Sequence, residues 1–355
     1  QGADTVTTAG IATGSVIDAG AGADLLIIGS AGDLDTAAEG ARYQNFETVR
    51  AASGSYDAQL VGSATAIQMT GAGTLSNLNA TQAGNVQIRA DGAYTMSLIS
   101  GAGTSDVLSM RLGTGTTTAP ATNLTTGLTA NSFETINLAT NHGATASTGA
   151  ARTTTVAAFT ADSVTAINLT GSAFTITNPA TTKKVTIDAS ALVGDGATTP
   201  VGLIVNSTGN LVNGSTVIGS AVRDQFTIAA EGSTFNGGDG DDLFVIVSAD
   251  PAAVTSADGV TDLVLNGGAN SASTTSGKDM LEFADSTITD ALTLTDANFT
   301  KISGMESLKL SNTGSLSLTT GAAFNATFAD GVKITTGAMA DTKTFTLNGG
   351  LSTTA

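Results

Sequence analysis

The chain has 355 residues and carries 30 acids against 13 bases, a formal charge of −17, which excludes a nucleic-acid partner because such a partner needs a basic face. It has no cysteine, so neither disulfides nor thiolate metal sites hold it. Aromatics at 4 %, no Trp and 43 Gly are too little bulk for an ordinary enzyme core and suit thin stacked turns of small β-compatible residues.

Residues 1–28 open inside a repeat. Gly2-Ala3-Asp4-Thr5-Val6 reads as the end of one loop. Ala19-Gly20-Ala21-Gly22-Ala23-Asp24-Leu25-Leu26-Ile27 is a nine-residue Gly/Asp loop with Ala in the first place, and Ile17 lies nine residues before Leu26. Asp18, just ahead of the loop, is a candidate additional ligand beside Gly20, Gly22 and Asp24.

Asn45-Phe46-Glu47-Thr48-Val49-Arg50-Ala51 follows, and the phrase returns as Ser132-Phe133-Glu134-Thr135-Ile136-Asn137-Leu138 and Gly304-Met305-Glu306-Ser307-Leu308-Lys309-Leu310. The intervals are 87 and 172, the second close to twice the first, and each copy trails an Asp-x-apolar loop, at Asp24, Asp106 and Asp279. Alternation after the glutamate predicts a half-buried strand. Glu47, Glu134 and Glu306 read either as cation ligands or, more blandly, as charges at a strand entrance.

Short alternating strands continue at 66–69, 85–89 and 95–99, punctuated by Gly, Asn, Asp and Ser. Gly101-Ala102-Gly103-Thr104-Ser105-Asp106-Val107-Leu108 is a weaker loop, with Thr104 where a glycine belongs. From 150 to 215 the nine-residue Gly/Asp loops stop, predicting a metal-free β-helical stretch in which Asp188 is not a ligand.

The fullest motif is Gly237-Gly238-Asp239-Gly240-Asp241-Asp242-Leu243-Phe244-Val245, which fits the nonapeptide Gly-Gly-x-Gly-x-Asp-x-apolar-x at every fixed place. Counting back in nines from Phe244 gives Phe235 and Phe226, and eighteen back from Asp242 gives Asp224, with Ser233 between them. That register predicts one internal phenylalanine ladder. Glycine permits the positive φ the loops need and leaves carbonyls open, while Asp224, Asp239, Asp241 and Asp242 supply carboxylates, the mixture a hard dication prefers. Downstream, 250–262 reads as an insertion. Asn266-Gly267-Gly268 and Ser276-Gly277-Lys278-Asp279-Met280-Leu281 read as one nonapeptide split by a Ser/Thr segment, and Leu347-Asn348-Gly349-Gly350 as the start of a further loop.

This stretch resembles the repeats-in-toxin (RTX) calcium β-roll family, whose members are secreted by bacteria and include toxins, proteases, adhesins and surface-layer proteins. The resemblance implies calcium (Ca2+) as the bound ion, folding outside the cell and export by type I secretion. The expected fold class is all-β, an elongated parallel β-roll/β-helix array with calcium-binding nonapeptide loops. It divides into 1–90, 91–215 and 216–355 as one continuous array, cut from a longer chain.

No catalytic set is legible. His142 is the only histidine, and Gly-x-Ser-x-Gly does not occur. The expected function is therefore structural and not enzymatic: an S-layer or surface-filament subunit that self-assembles through calcium, with its own copies and cell-surface polysaccharide as partners and no membrane span. A repeat segment of a large RTX adhesin is the alternative.

Overall fold

In a strand, successive side chains face opposite sides, so the period-two alternation seen in the sequence buries every second residue. The computed structural model describes residues 2–8, 14–115, 122–142, 152–207, 211–229, 232–247, 262–270, 278–284, 291–311, 314–337 and 343–349. The fold is all-β and parallel. The insertion read at 250–262 lies outside these residues except for Asp262, as do the Ser/Thr segment at 271–277 and Gly350. Two compact units are present, 1–183 and 184–355.

In the first unit, Thr5–Thr7, Leu25–Ile28, Thr48–Ala51, Ala66–Met69, Val86–Ile88, Val107–Leu112, Thr135–Thr140 and Ala166–Gly171 pair in that order, every pair parallel. A second parallel sheet joins Gly54–Asp57, Gly73–Leu78, Ala93–Leu98, Gly127–Ala130, Phe159–Ala161 and Pro179–Thr181. Parallel neighbours cannot be joined by a hairpin. Here the chain crosses to a facing sheet and returns one coil later, which is a β-helix.

In the second unit, Thr186–Leu192, Thr216–Ile218, Thr234–Gly240, Val264–Asn270 and Ile302–Ser303 form one parallel sheet. Val201–Ser207, Arg223–Ile228, Leu243–Ile246, Met280–Phe283, Ser307–Leu310 and Lys333–Thr336 form another. Leu292–Leu294, Leu316–Thr319 and Phe345–Asn348 make a third. The described residues contain three short α-helices, Ala37–Gly40, Ala80–Ala83 and Ala322–Thr327. None is long and apolar enough to cross a membrane.

The phenylalanines meet, but not in a single ladder. Phe226 and Phe244 are register partners in one sheet with ring centroids 5.1 Å apart, whereas Phe235 belongs to the Thr234–Gly240 strand and approaches Phe226 at 5.7 Å. Nine residues are thus half a coil and eighteen a whole one. The apolar residues recur every nine but alternate between sheets, while Asp224 and Asp242, eighteen apart, fall on the same sheet at aligned positions.

Candidate functional site

The inward face that carries the core also carries the acids. In Arg223–Ile228 the buried residues are Asp224, Phe226 and Ile228, and Asp242 precedes Phe244 and Ile246 in the same rhythm. The carboxylate therefore occupies the first inward position of the strand. Asp24, Asp224 and Asp279 are 0 % exposed and Asp242 is 1 % exposed.

Each of these side chains bonds to the main chain of the coil before it. Asp242 Oδ1 accepts from the Asp224 N–H at 2.7 Å, Asp279 Oδ1 from the Asp242 N–H at 2.7 Å, and Glu306 Oε2 from the Asp279 N–H at 3.0 Å. Asp224 accepts the Leu203 N–H at 2.5 Å and the Ser220 N–H at 2.6 Å. Shorter versions stand in the first unit. The Asp4 N–H donates to Asp24 Oδ1 at 2.7 Å, the Asp24 N–H to Glu47 Oε2 at 2.8 Å, and the Asp106 N–H to Glu134 Oε2 at 2.9 Å. A buried carboxylate ladder thus runs along the coils, and each ends on the glutamate of the recurring phrase.

That phrase has one local structure in all three copies. Asn45, Ser132 and Gly304 have φ of 57°, 68° and 64°, so the chain turns through the left-handed region two residues before each glutamate. Phe46, Phe133 and Met305 then plug the core at 2 %, 0 % and 0 % exposure. Glu306 is buried, and Glu47 and Glu134 are half-buried.

In Asp24, Asp242 and Asp279 it is Oδ1 that takes the N–H of the preceding coil. Asp24 Oδ2, Asp106 Oδ2 and Asp242 Oδ2 are buried and accept no hydrogen bond. Such an orphan costs about 1–3 kcal/mol, and more when charged. Glycine makes room for it. A methyl group on Gly237 would collide with Asp242 Oδ2 and the Gly267 carbonyl oxygen, and one on Gly219 with the Gly237 carbonyl oxygen and Asp224 Oδ2. A methyl on Gly22 would strike the Gly2 carbonyl oxygen and lie 2.9 Å from Asp24 Oδ1. Gly267 stands in the same relation to Asp279, so the two halves of the split nonapeptide do come together.

Burial pushes Asp242 up to about 9, and repulsion from Asp224 adds to it. Burial likewise raises Asp279 to about 7 and Asp224 to about 6. Repulsion from Glu306 raises Asp279 further, and Asp241 pushes up both Asp242 and Asp279.

The other sequence candidates take different places. Gly238 and Gly240 have φ of 104° and 137° and shape the turn. Asp239 is exposed and Asp241 half-buried, so both flank the ladder without forming a rung. Asp18 is exposed and accepts the Gly20 N–H at 2.9 Å and the Asn45 amide at 2.6 Å, which makes it a surface turn beside open-sided Gly20. Asp188 accepts the Ser190 N–H at 2.9 Å. Asp195, passed over in the sequence, is 7 % exposed and closes its own loop on the Ala197 and Val201 N–H groups. Its Gly194-Asp195-Gly196 setting matches the nonapeptide at too few places to mark it as a loop of that kind.

The donors that converge are hard oxygens, the class calcium takes. Among the described residues no three acidic or histidine side chains group closely enough to hold a metal alone, so carbonyl oxygens must complete any site. The orphan Oδ2 atoms and the carbonyls crowding Gly22, Gly219 and Gly237 fit that requirement in kind. No family model, curated protein or solved structure matches the chain.

Proposed function

We propose that the chain is part of a secreted bacterial structural protein of the RTX calcium-roll kind, a surface-layer or filament subunit that folds and self-assembles through calcium. The observation that carries this reading is the set of buried, unpartnered carboxylate oxygens at Asp24, Asp106 and Asp242. A coil gains nothing from burying an unpartnered carboxyl oxygen, whereas a hard oxygen held beside carbonyls is the kind of donor calcium takes.

Calcium, when bound, would supply the positive charge that the ladder lacks. Asp24, Asp224, Asp242 and Asp279 would give carboxylate oxygens, and the carbonyls of Gly2, Gly237 and Gly267 would lie among the remaining donors. Their backbone N–H bonds hold the aspartates in place before any ion arrives. Without it, repulsion within the ladder and the freedom of the Gly-rich turns favour an unfolded chain fit for export. Extracellular calcium modules bind at about 10⁻⁴–10⁻³ M, so folding would wait until the chain is outside.

The test is chelation and restoration at neutral pH, followed by circular dichroism and electron micrographs. Restored calcium should rebuild β structure and ordered sheets or filaments. Folded, assembled protein after prolonged chelation overturns the reading. Calcium-dependent folding into discrete, unassembled particles would favour the adhesin alternative.

A further inference from the structure

We propose that Glu47, Glu134 and Glu306 are positioning residues for cation binding: each closes a carboxylate ladder, holds the preceding aspartate by its backbone, and adds the negative charge beside it. This rests on the calcium reading above and extends it to residues that need not touch the ion.

The three ladders end alike. Each glutamate takes the N–H of the last aspartate, at 2.8, 2.9 and 3.0 Å for Asp24, Asp106 and Asp279. One coil further on, the aligned positions hold Thr65, Thr165 and Val332, none of them carboxylates. There no carboxylate reaches back to the glutamate N–H, and the main chain carries the rung. The Glu47 and Glu134 carbonyl oxygens accept the N–H groups of Thr65 and Ala66, and of Thr165 and Ala166, while Thr65 and Thr165 Oγ1 donate to the same carbonyls at 3.2 and 3.3 Å. Main-chain bonds of the same kind join the rung below, where the Glu134 and Thr135 N–H groups donate to the Asp106 carbonyl and the Glu306 and Ser307 N–H groups to the Asp279 carbonyl; what the glutamate side chain adds there is the bond to the aspartate N–H.

Asp242 follows a Gly-rich turn that brings backbone against carboxylate, whereas each glutamate follows one left-handed residue and a buried plug.

Charge is the part a structural role leaves unexplained. A neutral amide also accepts a backbone N–H, and this chain uses one: Asn123 Oδ1 takes the Thr155 N–H at 2.8 Å. Glutamate at all three ladder ends places a second negative charge next to an aspartate whose other oxygen, in Asp24 and Asp106, is buried and unpartnered. The repulsion between the two is unfavourable unless a cation offsets it.

The experiment compares Glu134→Gln with Glu134→Ala, and Glu306→Gln with Glu306→Ala, in the full chain. Calorimetric calcium titration reads affinity, and hydrogen exchange in chelator reads the Asp106 or Asp279 amide. Gln should keep amide protection yet weaken calcium binding at one site by about tenfold or more, as loss of a supporting partner of a metal ligand commonly does. Ala should lose both. Calcium binding by wild type with unchanged affinity in the Gln variants overturns the charge role, and unchanged amide exchange in the Ala variants overturns the positioning role. A wild type that takes up no calcium overturns the charge role together with the proposed function, while loss of protection in Ala alone still supports positioning.

Discussion

The coils at 223–283 and those at 127–181 are built on one plan and differ in what they bury at the strand entrance. Both pair parallel strands and alternate inward apolar with outward polar residues, stacking Phe226 on Phe244 on Leu281 in one and Ile136 on Ile167, with Leu138 on Leu169, in the other. At the entrance the first has Asp224, Asp242 and Asp279. The second passes from Glu134 to Thr165. Its outward face is tied by amides instead, with Asn168 Nδ2 donating to Asn137 Oδ1 at 2.8 Å and Asn137 Nδ2 to Ser109 Oγ at 3.0 Å. The coil therefore forms without buried carboxylates. Where they occur they oppose folding through desolvation, the main cause of the upward shift of Asp242, and so they serve something other than the coil.

The comparison breaks most visibly when calcium is removed at alkaline pH. Asp224, Asp279 and Asp242 are raised from 3.8 to about 6, 7 and 9. Between pH 4 and those values the folded state holds protons that the unfolded chain has released, so the slope of stability with pH is negative. Stability from these groups is complete below about pH 4 and is lost as pH rises through 6, 7 and 9. Calcium-free protein should lose several kcal/mol, or roughly 10 °C in Tm, between pH 5 and pH 9. Saturating calcium should flatten that profile, and binding should release protons. Hydrogen exchange should show the loss at 223–283 and spare 159–181, the coil beyond the Glu134 rung. Equal loss in both stretches would mean that the carboxylates are not what distinguishes them.

The all-β class and the parallel coils were legible because Gly/Asp punctuation and period-two alternation are local signals. The nine-residue count also gave the alignment of Asp224 with Asp242, but not that successive phenylalanines come from facing sheets, since periodicity does not say how many strands complete a coil. The phrase around Glu47, Glu134 and Glu306 was visible as a repeat. Its role was not, because the partner of each glutamate is an N–H 23 to 28 residues away, and only the register of the coils brings the two together. Asp18 and Asp239 stand beside loop glycines, and sequence spacing does not distinguish an outward from an inward carboxylate in a turn.

Two substitutions at one rung sharpen the comparison on a smaller scale. Asp242→Asn keeps an acceptor for the Asp224 N–H and removes the charge, so in chelator at pH 8 it should be more stable than wild type and bind less calcium. Asp242→Ala also removes the acceptor and should cost about 1–3 kcal/mol relative to Asn. Thermal melts with and without calcium read both. If Asn is less stable than wild type in chelator, the buried charge is already compensated by the protein and the case for a cation at this rung fails.

The smallest effect belongs to the neutral stretch. Asn168 is half-buried on the outward face, and its amide joins Asn137 across register partners. Asn168→Ala deletes that bond, but the Asn137 carbonyl it leaves lies on a face that water can reach, so the penalty for an orphaned acceptor does not apply in full. The expected loss is about 1 kcal/mol or less. What matters is the dependence on conditions: no ionisable group takes part, so the loss should be the same at pH 5 and pH 9, and the same with calcium or chelator. Melts of wild type and Asn168→Ala under those four conditions measure it. A loss that grows when calcium is removed would show that the amide ladder shares load with the carboxylates, and the neutral coils would no longer be an independent reference for the charged ones.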